Sequence, residues 1–260
     1  MPEPIINIQN ATVVYRENIA LRGVSLQVAA HKFVGIIGPN GAGKTTLLTV
    51  VNGLGKLQSG SVSVLGENIN RQSYHQLRKK VGYVAQIERI DARMPMSVRE
   101  VVMIGRSGLL GLFHKPGKTD WKIVDEALEM VGMSPLANRP IGHLSGGEQQ
   151  RASIARCLAQ EPQIFLLDEP TASLDWKAQT DILELVKQIH DSRQLTTLFV
   201  THDLDALPHT CDRVVLVKDG VIIGDGPPDT LISTQSLSRL YDIPADIIEE
   251  RHPHIHRRGG

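Results

Sequence analysis

The spacing of apolar positions changes along the chain. Residues 5–8, 11–15 and 24–28 are short β-rich runs separated by polar or glycine-containing breaks, which predicts strands. Phe33-Val34-Gly35-Ile36-Ile37 is an unbroken run that predicts a buried strand. It leads into a glycine-rich turn, after which 44–51 predicts a helix; 61–65 and 81–85 predict further strands. The spacing then becomes helical over 98–103 and 121–131. In the second stretch Trp121, Val124, Leu128 and Val131 fall on one helical face. A glycine-rich loop is expected over 105–117, and 88–160 as a whole reads as a mainly helical subdomain. Alternation returns in the last third: strand 164–167, helix 177–190, strand 197–201, and a hairpin of 214–218 with 221–223 through Asp219-Gly220, a strong two-residue turn signal. Buried β-runs alternating with amphipathic helices predict an α/β fold with a mostly parallel sheet.

Composition narrows the function. The 260 residues are 41% hydrophobic and carry 28 basic against 28 acidic side chains. That is enough apolar material for a substantial core, in one large or two small domains. The balanced charge argues against a dedicated nucleic-acid binder. Two cysteines, Cys157 and Cys211, are too few for a disulfide scaffold and fit no zinc spacing, so a reducing compartment is expected. The N-terminus shows no basic region followed by an apolar stretch, hence no signal peptide is expected. The apolar runs are far shorter than the roughly 20 residues of a membrane span.

The turn after residue 37 carries the first chemistry. Gly38-Pro39-Asn40-Gly41-Ala42-Gly43-Lys44-Thr45 matches G-x-x-x-x-G-K-[ST] in full. Several backbone N–H groups must point inward to meet phosphate oxygens, and glycines let the backbone curl tightly enough to do so. The following helix adds its N-terminal partial positive charge. Lys44 reaches for the β/γ-phosphates and the Thr45 hydroxyl for Mg²⁺. A second pattern is Ile164-Phe165-Leu166-Leu167-Asp168-Glu169, an apolar strand ending in two acids. Ligands of parallel sheets sit at the carboxyl ends of strands, so Asp168 is expected near Thr45 and the metal. Glu169, aimed elsewhere, is the candidate to polarise a water for attack on the γ-phosphate. A third pattern, Leu144-Ser145-Gly146-Gly147-Glu148-Gln149-Gln150-Arg151, opens a helix with Ser145 as N-cap and Glu148 as its capping-box partner. A cap explains two of these eight residues. The others read as a second anion site, so that two copies arranged about a two-fold axis sandwich two nucleotides.

From these residues the chain resembles the nucleotide-binding subunits of ABC transporters, over about residues 5 to 245. The resemblance implies a P-loop NTPase core with a mostly parallel sheet, an N-terminal antiparallel β subdomain and the inserted helical subdomain. It implies an ATP-binding domain over 1–245 and a flexible His-rich tail over 246–260. It implies that the chain hydrolyses ATP with Mg²⁺, with Gly38, Pro39, Asn40, Gly41, Ala42, Gly43, Lys44, Thr45 and Thr46 holding the nucleotide. Tyr15 matches the aromatic that stacks on adenine. Gln86 matches the glutamine that reaches Mg²⁺ and the attacking water. Ser145, Gly146, Gly147 and Glu148 match the family signature, which contacts ATP on the other subunit; Glu148 stands where the family most often has Gln. Asp168 and Glu169 match the metal-binding and catalytic acids, Ser173-Leu174-Asp175 the loop that communicates across the dimer, and His202 the histidine that touches the γ-phosphate.

Residues 90–106, with Gly111-Leu112-Phe113, are similar to the corresponding stretch of importers for manganese, zinc or iron ions, and also of ferric-siderophore, haem and cobalamin importers. In the family this stretch docks the membrane subunit, and an exposed part of its apolar residues would mark that patch. The partners implied are a second copy, a polytopic membrane permease and, indirectly, a substrate-binding protein, with no nucleic acid. The location implied is peripheral, on the cytoplasmic face of the cell (inner) membrane. His252, His254 and His256 are able to share a divalent ion, although a solvated tail is the simpler reading. A soluble ABC ATPase of repair, translation or cofactor assembly is the alternative class. Such proteins usually carry coiled-coil insertions or two nucleotide units, and neither is visible here.

Overall fold

A computed structural model describes residues 3–70, 73–86, 91, 93–110, 114–204, 206–208 and 210–251. The chain divides into two compact units, one running through Tyr74 and resuming at Thr196, the other His75–Leu195.

The first unit begins with strands β1 (Ile6–Tyr15) and β2 (Asn18–Val28), antiparallel to each other. The two runs expected at 5–8 and 11–15 are one strand. The polar break between them is an irregularity of register, with Asn10 at φ 48°, and does not end the strand. β4 (Leu57–Val64) pairs antiparallel with β1, and the short β5 (Glu67–Asn68) with β4, completing a sheet in the order β2-β1-β4-β5. β3 (Phe33–Ile37) runs parallel to both β8 (Thr196–Thr201) and β9 (Arg213–Lys218). Phe33 and Phe199 lie with ring centroids 5.9 Å apart, a tilted aromatic pair across β3 and β8. β10 (Val221–Gly226) returns antiparallel through Asp219 and Gly220 at φ 49° and 77°. Both turn residues are left-handed, as a tight primed turn requires. Helix α1 (Lys44–Val51) follows β3. Helices α7 (Pro228–Leu231), α8 (Thr234–Tyr241) and α9 (Ala245–Arg251) close the unit. Leu237, Leu240 and Ile248 from these helices pack with Ile37, Val214 and Leu216. The tail expected to loosen from residue 246 is therefore helical as far as Arg251, because Ile248 is anchored in the core.

The second unit starts as α2 (Tyr74–Lys80) leads into β6 (Val81–Val84), which lies parallel to β7 (Ile164–Asp168). Its other α-helices among the described residues are α3 (Val98–Leu110), α4 (Lys118–Met130), α5 (Gly146–Leu158) and α6 (Trp176–Arg193). On α4 the predicted face is the buried one: Val124 and Leu128 are core, and Val131 beyond them is too. The loop expected to start at Gly105 is overturned, since α3 continues to Leu110. A Cβ at Gly105 would stand 2.0 Å from the Arg156 carbonyl oxygen, so this glycine lets α3 approach α5. Next to it Arg106 is buried. Its guanidinium donates to Asp120 at 3.2 Å, to Glu161 at 2.6 Å and to the Ala159 carbonyl at 3.0 Å, tying α3 to α4 and the end of α5.

The whole is a mixed α/β fold with one antiparallel sheet and otherwise mostly parallel strands. Among the described residues no helix is long and apolar enough to cross a membrane.

Candidate functional site

In the first unit β3 is buried along its whole length and delivers the chain into the phosphate loop. A Cβ at Gly38 would stand 2.1 Å from the Val217 carbonyl oxygen. Gly43 has φ 100°, and its Cβ would stand 2.5 Å from the Ala20 carbonyl oxygen. Both glycines are thus demanded by crowding, and Gly43 also by a backbone direction that other residues resist. The loop is pinned where the Ala42 N–H meets the Pro39 carbonyl at 3.2 Å and the Gly220 N–H meets the Ala42 carbonyl at 3.0 Å. Lys44 is only 5% exposed, and its Nζ donates to the carbonyls of Gly38 at 2.8 Å and Pro39 at 3.0 Å. The cation is held against the loop by the loop's own backbone. Asn40, Gly41 and Thr45 are exposed and Thr46 is half-buried, at the start of α1. Backbone N–H groups, a helix N-terminus and a fixed ammonium here gather the kind of donors that phosphate oxygens accept from.

Two more expected residues belong to this unit. The parallel register Ile37↔Thr201 sets His202, which follows β8, beside the start of the loop. His202 is exposed, and its carbonyl accepts from the Tyr241 hydroxyl at 2.9 Å. Burial pushes the Tyr241 phenol up to about 12, with the Asp203 charge adding to it, so Tyr241 remains a donor. Tyr15 ends β1, is 48% exposed and pairs with Asn18. In the same hairpin the Ala20 carbonyl crowds Gly43 and Gly220, which anchors the hairpin on the phosphate loop.

The second unit holds the remaining expected residues. Val84↔Leu167 pairing sends Gln86, beyond β6, and the pair Asp168 and Glu169 out of the same end of the two parallel strands. Asp168 is 3% exposed and accepts from the Tyr83 hydroxyl at 2.9 Å. Burial holds the Tyr83 phenol well above its ordinary range, and the Asp168 charge raises it further, so this hydroxyl stays protonated and fixes the carboxylate. Sequence reasoning missed Tyr83: only the pairing of β6 with β7 brings it across to Asp168. Glu169 takes φ 48°. Leaving the strand in a left-handed conformation costs about 1–3 kcal/mol for a non-glycine residue. The turn is closed where the Ala172 N–H donates to the Glu169 carbonyl at 3.1 Å. The two neighbouring carboxylates stand in different surroundings, Asp168 buried at the end of the strand and Glu169 half-buried in the turn that follows.

The signature turn forms the predicted capping box. Ser145 Oγ accepts from the Glu148 N–H at 3.3 Å, and a Glu148 carboxylate oxygen accepts from the Ser145 N–H at 2.7 Å. Gln149 Nε2 donates to the Leu144 carbonyl at 3.2 Å. Ser145 and Gly146 are exposed, and Gly147 and Glu148 half-buried. A Cβ at Gly146 would meet Leu174 at 3.3 Å and one at Gly147 would meet Ala178 at 3.1 Å, so the glycines let Leu174 and the start of α6 lie against the turn. A cleft of 490 Å³ opens between Ser145, Gly146 and Gly147 on one side and Ala172, Ser173 and Leu174 on the other.

In the expected docking stretch Val101, Val102 and Met103 are core, whereas Met94 and Ile104 are exposed. Ile90, Ala92, Gly111, Leu112 and Phe113 lie outside the described residues, as do His252, His254 and His256. Both cysteines are unpaired thiols. Burial pushes Cys157 up to about 12 and Cys211 to about 11, so neither is a reactive thiolate.

A glycine loop entering a helix, together with a buried strand ending in two acids, defines a P-loop nucleoside-triphosphatase. The family model described as ABC transporter matches residues 21–172, more than half of the chain, so the protein belongs to the ABC transporter family and is one of its ATPases. It is 36% identical over 238 residues to the manganese transport system ATP-binding protein MntB of Halalkalibacterium halodurans, covering 92% of each chain. It is 37% identical over 219 residues to the zinc uptake system ATP-binding protein ZurA of Listeria monocytogenes, covering 84% of each. Among solved structures, the dimeric structure of a bacterial ABC transporter cassette superposes with a TM-score of 0.73 at 30% identity, over 85% of this chain and 98% of that one.

Proposed function

We propose that the chain is the ATP-hydrolysing subunit of an importer that takes up a metal ion of the manganese, zinc or iron type through a separate membrane permease. It acts on the cytoplasmic face of the cell membrane, and a substrate-binding protein supplies the ion from the other side. The observation that carries this reading is the likeness to the manganese transport protein over nine-tenths of both chains. The exposed Met94 and Ile104 give a permease an apolar place to dock.

The residues divide the work as follows. Tyr15 stacks on adenine. The N–H groups of 38–45, Thr46 and the Lys44 ammonium hold the phosphates and offset charge that develops on the γ-phosphoryl group. Thr45, Gln86 and Asp168 offer only oxygen donors, a set that suits a hard cation such as Mg²⁺. Held by these residues, Mg²⁺ would neutralise phosphate charge. Glu169 accepts a proton from the attacking water, while Gln86 and His202 orient the water and the γ-phosphate. Ser145, Gly146, Gly147 and Glu148 of a second copy complete the site, so that two chains enclose two nucleotides.

The test is transport by the chain reconstituted with its permease in vesicles, supplied in turn with Mn²⁺, Zn²⁺, Fe²⁺ and a ferric siderophore. ATP-dependent accumulation of one of the bare ions, with co-purification of a polytopic membrane protein, is expected. Uptake of the siderophore alone, or a soluble protein as the only partner, would overturn the reading.

A further inference from the structure

Trp176 is 86% exposed, the most exposed of the large apolar side chains among the described residues. Its position is fixed. It is the first residue of α6, and the N-cap Asp175 accepts from the Ala178 N–H at 2.8 Å, which locks the helix start directly after Ser173-Leu174-Asp175. It also lies beside the signature turn: a 540 Å³ cleft is lined by Ser145, Gly147, Glu148, Arg151, Trp176 and Lys177. An indole held in water on a rigid helix start, with a second subunit's nucleotide expected one cleft-width away, has the character of an interface anchor. Ala178 and Ile182 line the same cleft, but Ile182 is buried and Ala178 half-buried, so the indole is its most exposed large apolar group.

We infer that Trp176 is covered by a second copy of this chain when two nucleotides close the dimer, and that it carries a large share of the closing energy. The surface is continuous with the signature turn, and this inference rests on the two-copy arrangement proposed above. Trp176 touches no nucleotide in this account. It sets how readily the dimer closes without setting how tightly one chain holds ATP.

Fluorescence reads this directly, because Trp121 is the only other tryptophan. In a Trp121→Phe, Glu169→Gln chain, ATP with Mg²⁺ is expected to form dimers by sedimentation, shift Trp176 emission to the blue, and cut quenching by acrylamide several-fold. In the Glu169→Gln chain, Trp176→Ala is expected to weaken dimerisation by about tenfold or more while leaving ATP binding to the monomer unchanged. Dimers that form with Trp176 still fully quenchable, or with unchanged affinity in Trp176→Ala, would overturn the inference and leave the two-copy reading standing. Absence of any ATP-driven dimer would overturn both.

Discussion

The phosphate loop and the signature turn are both glycine-bearing entries to helices, yet their backbone donors stand differently. Around 38–45 the glycines are jammed against the carbonyls of Val217 and Ala20, Gly43 is left-handed, and Lys44 is drawn in over the loop. Around 145–148 the helix start is closed by its own side chains, Ser145 and Glu148, and the turn faces outward. The first is a rigid cradle that one chain builds for itself. The second is closed by its own cap, and on the reading proposed above its chemistry waits for a nucleotide on a second copy. A capping box keeps such a surface folded while it has no partner.

The consequences can be ranked. Glu169→Gln removes the proposed proton acceptor and leaves both glycine turns intact, so hydrolysis should fall by roughly 10²–10⁴-fold while ATP and the dimer are retained. A wild-type rate in a phosphate-release assay would remove Glu169 from its role. Lys44→Ala strikes the cradle itself and should weaken ATP binding by about 100-fold, measured by calorimetry on the single chain. Gly43→Ala meets both a left-handed backbone and the Ala20 carbonyl, and should cost about 1–3 kcal/mol of folding stability by denaturant titration. Ser145→Ala should be mildest on the fold, about 1 kcal/mol from the lost cap. It should leave ATP binding by the monomer unchanged while slowing hydrolysis by the dimer. Equal damage to monomer binding from Ser145→Ala and Lys44→Ala would erase the contrast between the two turns.

Much of this was legible in the sequence because it is local. A five-residue strand of four hydrophobic side chains and a glycine, a glycine loop at fixed spacing, a Ser-to-Glu capping box and an Asp-Gly hairpin turn each carry their own cause. What stayed hidden depends on which element lies against which. Gly105 reads as a loop signal, but it is a contact point between α3 and α5. Arg106 sits in a stretch expected to dock a partner, yet it is buried among Asp120, Glu161 and the Ala159 carbonyl. Tyr83 looks like one residue of a short strand until the register with β7 sets its hydroxyl on Asp168. The left-handed turn at Glu169 is equally invisible in a pattern of residue types.

The central claim is that the cradle of one copy and the signature turn of another close on one triphosphate. The direct test is a cross-link in the Glu169→Gln background, mixing an Asn40→Cys chain with a Ser145→Cys chain under mild oxidation; the native Cys157 and Cys211 are poor competitors because their thiols resist ionisation. The account predicts a disulfide-linked species of twice the chain mass that forms with ATP and fails to form without it. Dimers that assemble on ATP with no such bond, or a bond indifferent to ATP, would contradict it.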